Sequence, residues 1–234
     1  MSIRHSIIIP TYNKISLLKP CIESIIQNTD LTNTEVIVVS NGCKDGSVEY
    51  IKNLGDPFKI IQWSEPLGYP CAVNIGICAS KGDIVVLLNN DIKLLNTDWL
   101  QLLVDPFIKI PNAGVTGVVK GFWNKKPWVI FFCAAIKREV FNKVGLLDLT
   151  FFPGTGEDVD FCIKASNAGY TIHQVPEEIL KSAPDNHNLK FGSFPIWHLG
   201  SATFNNLTEE FVGRITTNSS EILTRRYGIQ YPNS

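Results

Sequence analysis

The sequence predicts an α/β fold: a three-layer sandwich in which helices cover both faces of a mostly parallel central sheet. Short apolar runs alternate with helical patterns along the N-terminal half of the chain. These runs are continuous rather than alternating in polarity, which is typical of strands buried on both faces. Polar clusters follow three of the runs, at the edge where sheets of this kind bind their ligands.

Four strands and three helices are predicted in the N-terminal half. Continuous apolar runs define the strands, which cover residues 6–9, 35–39, 58–63 and 83–88. Apolar residues at helical spacing define the helices, which cover residues 14–27, 47–54 and 71–80. Because helices separate successive strands, the connections are those of a parallel sheet.

From about residue 112 this alternation is lost. Strands are predicted at residues 114–119 and 129–136, and helices at residues 137–144 and 158–168. A closing helix is predicted at residues 208–227, with an apolar side formed by Phe211, Val212, Ile215, Ile222 and Leu223. We expect a single domain, because 234 residues suffice for one core.

Composition excludes several classes of protein. A net charge of −1 provides no basic surface for a nucleic acid. The longest apolar run, residues 128–136, is too short to span a bilayer, and no secretory signal begins the sequence. The six cysteines form no CxxC pair and no zinc-site spacing, which is typical of reduced thiols. These features predict a cytoplasmic protein.

Asn89-Asn90-Asp91 follows the predicted strand at residues 83–88. An Asp oxygen can share a hard divalent cation with phosphate oxygens, which neutralises a diphosphate so that it can leave. One carboxylate is a poor metal site by itself, so the diphosphate would have to complete it. The alternative interpretation is an Asx turn that closes the strand.

Two further polar segments follow strands. Pro10-Thr11-Tyr12-Asn13 offers edges for a nucleotide base, although Asn13 is also suited to cap the next helix. Ser40-Asn41-Gly42 begins a short loop in which small residues allow a ligand to approach the backbone. Asp45 or Ser47 in that loop is equally suited to cap a helix.

Two residues in the C-terminal half have both a chemical and a structural interpretation. Asp158 precedes a helical pattern and stands three residues after Thr155, as in a capping box, and a helix N-terminus also keeps an Asp ionised. His198 ends an apolar segment, where it is either a core histidine or a metal ligand.

Together these segments resemble family 2 of the inverting glycosyltransferases, whose nucleotide-binding α/β sandwich is called the GT-A fold. The resemblance spans roughly residues 6 to 201, and the order of the segments is more specific than any one of them. It is carried by Ile8-Ile9-Pro10-Thr11-Tyr12-Asn13, residues 35–47, Ala72-Val73-Asn74-Ile75-Gly76, Lys81-Gly82-Asp83, Asn89-Asn90-Asp91, residues 137–148, Gly156-Glu157-Asp158-Val159-Asp160 and His198-Leu199-Gly200-Ser201.

The resemblance implies roles for individual residues. Asp91 and His198 would hold Mn²⁺ or Mg²⁺ on the diphosphate of a nucleotide-sugar donor, and Asp158 would be the general base. Glu157, in the matching motif, would face a carbohydrate or lipid-linked acceptor. Trp123 and Trp128 are also predicted to face the acceptor, because tryptophan faces stack on sugar rings. The donor would contact Pro10, Thr11, Tyr12, Asn13, Ser40, Asn41, Asn74, Asp83, Asn89 and Asn90.

The resemblance also implies different functions for three successive parts of the chain. Residues 1–111 would bind the nucleotide sugar, residues 112–205 would bind the acceptor and carry catalysis, and residues 206–234 would close the domain. The loop at residues 120–128 combines lysines with tryptophans, which suits stacking on a sugar ring, contact with an anionic membrane at the inner face, or an ordinary exposed loop.

Two positions depart from the family pattern. Ser40 stands where an Asp usually contacts uracil, so thymidine and guanosine donors stay open beside uridine. Asn89 replaces the first acid of the metal motif, so we expect weak metal binding without donor. The chain also lacks the membrane helices of the processive synthases, which favours single additions.

Other functions are less consistent with the sequence. A sugar nucleotidyltransferase would need a Gly-rich loop with Arg and Lys after the first strand, and a nicotinamide enzyme would need GxGxxG there. A non-catalytic nucleotide-sugar binding module is the alternative that is not an enzyme, but mere binding does not need a base such as Asp158.

Overall fold

The computed structural model describes residues 5–175, 189–190, 194–200 and 208–228. The helices are α1 (Ile15–Asn28), α2 (Ser47–Leu54), α3 (Tyr69–Ala79), α4 (Trp99–Lys109), α5 (Arg138–Val144), α6 (Glu157–Asn167) and α7 (Glu209–Tyr227). The strands are β1 (His5–Thr11), β2 (Thr34–Asn41), β3 (Phe58–Trp63), β4 (Ile84–Leu88), β5 (Ile92–Leu94), β6 (Ala113–Gly117), β7 (Lys120–Trp123), β8 (Lys126–Val129), β9 (Cys133–Lys137), β10 (Thr171–Gln174), β11 (Leu189–Lys190) and β12 (Ile196–His198).

A seven-stranded sheet with the order β10-β6-β9-β4-β1-β2-β3 forms the centre of the fold. Strands β4, β1, β2 and β3 are parallel, whereas β9 runs antiparallel to both β4 and β6. The predicted mostly parallel sheet is therefore confirmed, with one reversed strand in the C-terminal half. A small second sheet joins β5, β12 and β11.

The sheet has a core on each face, which explains why its strands are continuous apolar runs. Successive strand residues point to opposite faces. Ile7 and Ile9 of β1 accordingly belong to a core shared with α1 and α4, while Ile8 belongs to one shared with α3, α5 and α6. Helices on both faces give the three layers that the sequence predicts.

Three elements differ from the sequence-based prediction. The strand expected at residues 129–136 is two strands, because the chain leaves β8 at Val129 and enters β9 at Cys133. Helix α4 was not predicted, although Trp99 and Leu103 are fully buried on it. The loop expected at residues 120–128 is a β-hairpin of β7 and β8.

Helix α7 packs differently from its predicted apolar side. Only Ser219 and Leu223 are buried, while Phe211, Val212, Ile215 and Ile222 are partly exposed. No helix among the described residues is both long and apolar enough to cross a membrane. The predicted contributions of Ser201 and of residues 206–207 fall outside the described residues.

Candidate active site

The candidate site lies where the carboxyl ends of β1, β2 and β4 meet. Strands β1 and β2 run in register up to the pair Thr11 and Ser40, and β4 ends at Leu88 opposite Cys133, where β9 begins. The antiparallel direction of β9 brings the segment before it, including Phe131 and Phe132, to the same edge.

Asn90 ties the end of β4 to the end of β1. Its side-chain Nδ2 donates a hydrogen bond to Oγ1 of Thr11 at 2.8 Å. The backbone N–H of Asn89 donates to the carbonyl of Phe132 at 2.9 Å. The structure therefore brings Thr11, Asn89 and Asn90 together, as the sequence predicts.

Asp91 and His198 are in direct contact although 107 residues separate them. Strand β12 pairs antiparallel with β5, and this pairing places His198 opposite Ile92. His198 Nε2 lies 3.1 Å from Asp91 Oδ1, and the two side chains are 12% and 5% exposed. The imidazole also stacks on Phe132, with ring centroids 4.2 Å apart and an interplanar angle of 4°.

This pair fits half of a metal site. A carboxylate oxygen and an imidazole nitrogen already at contact distance are suitable ligands for Mn²⁺. Among the described residues, no third His, Cys, Asp or Glu joins them in a group able to hold a metal ion. The remaining ligands would have to be donor phosphate oxygens and water, which is consistent with the single carboxylate in the motif.

The loop after β2 is held by its own side chains. Ser40 is fully buried, and its Oγ accepts a hydrogen bond from Cys43 N at 3.3 Å. The side-chain oxygen of Asn41 accepts from Leu67 N. Gly42 has φ +84°, and a Cβ there would lie 2.9 Å from Pro66 N, so only glycine fits. Ser40 and Asn41 thus shape the site, with little of either side chain exposed.

Asn13 and Tyr12 lie beside that loop. Asn13 has φ 53°, its N–H donates to Cys43 Sγ at 3.1 Å, and its Oδ1 accepts from Lys44 N at 2.8 Å. Asn13 does not cap α1, because it bridges to the second loop instead. Tyr12 is 44% exposed, which leaves its ring accessible at the rim.

Asp45 braces the two loops against each other. One carboxylate oxygen accepts from Ile15 N at 2.7 Å, at the start of α1, and the other accepts from Ser47 N and Oγ at the start of α2. Although burial opposes it, hydrogen bonding to Ser47 and Ile15 holds the pKa of Asp45 below its usual value. The sequence left open whether Asp45 or Ser47 caps a helix. In the structure Asp45 accepts from the first N–H group of both α1 and α2.

Glu157 and Asp158 begin α6. The residue before them, Gly156, is the N-cap, with φ 85° and no side-chain cap. Thr155 does not form the predicted capping box, because its Oγ1 hydrogen-bonds to Ser219 at 2.7 Å. Asp158 is partly buried and accepts from Val159 N at 2.8 Å. Glu157 is 7% exposed, and its Oε2 has no hydrogen-bond partner among the described residues.

Burial raises the pKa values of both of these carboxyl groups above those of ordinary acids. It raises the pKa of Asp158 to about 6, opposed by hydrogen bonds from the backbone N–H groups of Val159 and Phe131. Burial, reinforced by the charge of Asp158, raises the pKa of Glu157 to about 8. At neutral pH the pair therefore shares about one proton and one negative charge, and the stronger increase in the pKa of Glu157 favours the proton on that residue.

Phe131 and Phe132 connect the two chemical parts of the site. The Phe131 backbone N–H lies close enough to the Asp158 carboxylate to lower its pKa, while the next ring, Phe132, stacks on His198. Tyr69 completes the connection, since its buried hydroxyl donates to the Phe131 carbonyl at 2.8 Å. Burial raises the pKa of Tyr69 well above its ordinary value, and the nearby carboxyls of Glu157 and Asp158 add to this. Sequence reasoning missed Tyr69, for which the only signal was its place at the start of a helix.

Asp83 is a correction to the predicted donor site. It precedes β4 and lies beside His5, at the amino end of the sheet. A strand of five residues spans about 17 Å, so Asp83 and Asn89 are at opposite edges.

Asn74 is also placed differently from the prediction. Its side-chain amide donates to the Leu147 carbonyl at 2.8 Å and accepts from Leu147 N at 3.0 Å. Both ends of the amide are therefore used to join α3 to the segment after α5, rather than being turned to a ligand.

The two predicted acceptor-stacking tryptophans are packed against the protein. Trp123 is 7% exposed, lies in a small core with Phe151 and Leu223, and donates from Nε1 to the Gly228 carbonyl at 3.3 Å. Trp128 is partly buried and covers Gly121, where a Cβ would lie 2.6 Å from its ring. The hairpin geometry thus removes the Trp123 face from any ligand, which corrects the prediction that Trp123 stacks on an acceptor.

Known proteins resemble this chain in sequence and in fold. A family model described as glycosyl transferase family 2 matches residues 6–127, just over half of the chain. Glycosyltransferase AglE of Haloferax volcanii is 32% identical over an alignment of 195 positions, which covers 71% of this chain and 62% of that protein. The chain spans only 23% and 16% of the length of two other curated relatives that it matches.

Solved structures share the fold. The mannosyltransferase PcManGT of Pyrobaculum calidifontis, in complex with GDP-Man and Mn²⁺, superposes with a TM-score of 0.64 at 24% identity, over 76% of this chain and 56% of that one. GalNAc-T7 with UDP, GalNAc and Mn²⁺ gives a TM-score of 0.65 at 18% identity, over 74% and 42% of the two chains. These likenesses confirm the predicted GT-A fold, and with the family match over residues 6–127 they lead to one conclusion: the chain belongs to glycosyl transferase family 2.

Proposed function

We propose that the chain transfers a sugar from a nucleotide-diphosphate sugar to a hydroxyl group of an acceptor, with inversion at the anomeric carbon. One observation carries the proposal: the Asp158 carboxylate lies near the backbone of Phe131, and the next residue, Phe132, stacks on His198 of the Asp91–His198 pair at the ligand-binding edge of the sheet. A base and a diphosphate-neutralising pair are the two components that such a transfer needs.

Asp158 is the proposed general base. With a pKa of about 6 it is ionised at neutral pH yet more basic than an ordinary Asp. It takes the proton of the acceptor hydroxyl as that oxygen forms its bond to the anomeric carbon. The bond between that carbon and the diphosphate breaks at the same time, and the nucleoside diphosphate leaves with the electron pair. Attack opposite to the leaving group inverts the anomeric configuration.

Asp91 and His198 are the proposed protein ligands of Mn²⁺ or Mg²⁺. The ion, when bound with the donor, supplies positive charge that stabilises the departing diphosphate. Both structural relatives described above carry Mn²⁺ with their nucleotides, which supports this assignment. Because the described residues provide only this pair, we expect metal and donor to bind cooperatively.

Residues 1–111 are the proposed nucleotide-sugar half and residues 112–205 the acceptor half. Tyr12 is the accessible candidate for donor contact, since it is exposed at the rim, whereas Thr11 is buried and holds Asn90 in place through its hydroxyl. We propose a carbohydrate or lipid-linked acceptor that reaches Asp158 past Glu157. The hairpin of β7 and β8 remains a proposed site of peripheral membrane contact, through exposed Phe122 and Lys126.

A thermal-shift screen tests donor and metal together. Nucleoside diphosphates and nucleotide sugars of uridine, guanosine and thymidine are added with and without Mn²⁺. A ligand that binds only the folded protein stabilises it by RT ln(1 + [L]/Kd), so a true donor raises Tm in a manganese-dependent way. The absence of any shift under all conditions would refute the proposal.

Release of nucleoside diphosphate from the stabilising donor separates an enzyme from a binding module. The reaction is run with simple glycosides as acceptors. Binding without release would support the non-catalytic alternative. For variants of Asp158, Asp98→Ala is a control for the loss of an aspartate side chain outside the proposed site, because Asp98 is exposed and its side chain caps no N–H of α4.

A further inference from the structure

The C-terminal helix α7 holds the segment that carries Asp158. Its residue Ser219 is buried and hydrogen-bonds through Oγ to Thr155 at 2.7 Å. One turn later, Leu223 packs with Phe151 and Val159 in a small core. The last turns of α7 therefore contact the chain on both sides of the Glu157-Asp158 pair.

Asp160 is the strongest link between α7 and α6. Its side chain is fully buried. One oxygen accepts from Arg226 Nη1 and from the Tyr227 hydroxyl, each at 2.7 Å, and the other pairs with Lys164 Nζ at 2.7 Å. A buried carboxylate needs such partners because it has lost water, and two of the three come from α7.

Arg226 also reaches the beginning of the same segment. Its Nη1 donates to Asp148 Oδ2 at 2.8 Å, and its Nη2 donates to Thr150 Oγ1 at 3.2 Å. Hydrogen bonds from Thr150 and Arg226 outweigh burial and hold the pKa of Asp148 at about 2. One guanidinium thus fixes both ends of the segment between residues 148 and 160.

The clamp on Asp160 bears on the orientation of Asp158. Successive residues of an α-helix are rotated by about 100°, so these two side chains project about 200° apart. Asp160 points to α7, whereas the Asp158 carboxylate accepts from Val159 N and lies near the backbone N–H of Phe131. Fixing one side of the first turn of α6 therefore fixes its rotation and the direction of the other side.

We propose that the last turn of α7 is a positioning element, in which Arg226 and Tyr227 hold Asp160 and thereby keep Asp158 directed at the reaction site. Neither residue touches a reacting atom. The catalytic consequence rests on the proposed function, because it assumes that Asp158 is the base. The structural consequence, a fixed environment for Asp158, does not depend on any substrate.

The test compares wild type with Tyr227→Phe and with a double variant, Arg226→Met with Tyr227→Phe. The control is Arg225→Met, which removes the neighbouring arginine. Arg225 is exposed, and it forms no ion pair within the described ranges. The Asp158 carboxyl is titrated by carbon-13 NMR in the free protein, with its resonance assigned by comparison with Asp158→Asn.

The wild type is expected to titrate near pH 6. In the double variant the midpoint should fall by about one unit toward the ordinary Asp value near 3.9, because a loosened α6 admits water to the carboxylate. Tyr227→Phe should shift it less in the same direction, and Arg225→Met should not shift it. With a donor identified, kcat should fall about 10-fold or more at unchanged donor KM, as expected for a misplaced base.

Two outcomes would overturn the proposal. One is a lower Tm in the variants with an unchanged Asp158 midpoint, which would make the clamp a source of stability only. The other applies if the double variant does not fold: an Asp158 titration midpoint in Tyr227→Phe that equals that of wild type. If wild type releases no nucleoside diphosphate from any donor, the proposed function fails, while the titration still decides the positioning claim.

Discussion

Replacing Glu157 by glutamine is expected to remove a decline in stability between pH 6 and pH 8. Glu157 is 7% exposed and its folded pKa is raised from 4.5 to about 8 by burial and by the charge of Asp158. A raised acid pKa means that the folded protein retains a proton that the unfolded chain has released. The stability that this proton confers is present in full below pH 4.5 and is lost as pH rises toward 8.

The expected size follows from the shift. Each pH unit within this window costs about 1.4 kcal/mol per retained proton. Between pH 6 and pH 8 the loss is therefore at most about 2–3 kcal/mol in wild type, and close to zero in Glu157→Gln, whose amide does not titrate.

Urea denaturation at pH 6 and pH 8 measures this effect as a difference between wild type and variant. The difference is needed because burial lowers the pKa of His5, which makes stability rise with pH in the same range. That contribution is common to both proteins and cancels. Glu49→Gln is the control, since Glu49 is an exposed glutamate in the first turn of α2.

The proposed titration of Glu157 is refuted if the free energies of unfolding of wild type and Glu157→Gln keep a constant difference across the two pH values. It is also refuted if Glu49→Gln changes the slope as much as Glu157→Gln does. Either result would mean that Glu157 is not the buried, protonated partner of Asp158.

Two further predictions concern the loops and the metal pair. Asp45→Ala should lower the free energy of unfolding by about 1–2 kcal/mol, because it removes the acceptor for Ile15 N and Ser47 N. This difference between variant and wild type should shrink below about pH 4. The lowered pKa of Asp45 means that wild type loses the stability given by the ionised carboxylate as that group is protonated. Urea titrations at pH 3 and pH 7 measure both effects. His198→Ala should abolish the manganese-dependent part of the Tm shift given by the donor, since among the described residues it leaves Asp91 as the only proposed ligand. A shift of wild-type size would remove His198 from the proposed metal site.

The fold was predictable because its signals are local. Ile7, Ile8 and Ile9 form a continuous apolar run for the physical reason that both faces of β1 are buried. The polar residues that follow β1, β2 and β4 meet at one edge because parallel strands end together. Asp83 was wrongly placed with them because it precedes its strand rather than following it.

The parts of the site that the sequence did not predict depend on contacts between residues far apart in the chain. Asp160 meets Tyr227 across 67 positions, and Tyr69 meets Phe131 across 62. No periodicity or spacing in the sequence records such pairs. Trp123 is a case in which the sequence predicted a contact that the structure does not make. A tryptophan among lysines is typical of a ligand-stacking loop, but here it lies in a hairpin and donates a hydrogen bond to the Gly228 carbonyl.

The central claim is that Asp158 is the base of a metal-dependent sugar transfer. It is tested most directly by the rate of nucleoside diphosphate release from the stabilising donor, with Mn²⁺ and glycoside acceptors, in wild type and Asp158→Asn. We expect Asp158→Asn to lower kcat by about 10²- to 10⁴-fold while the donor-induced Tm shift is retained. Turnover within a factor of about two of wild type, in a variant that still binds the donor, would contradict it.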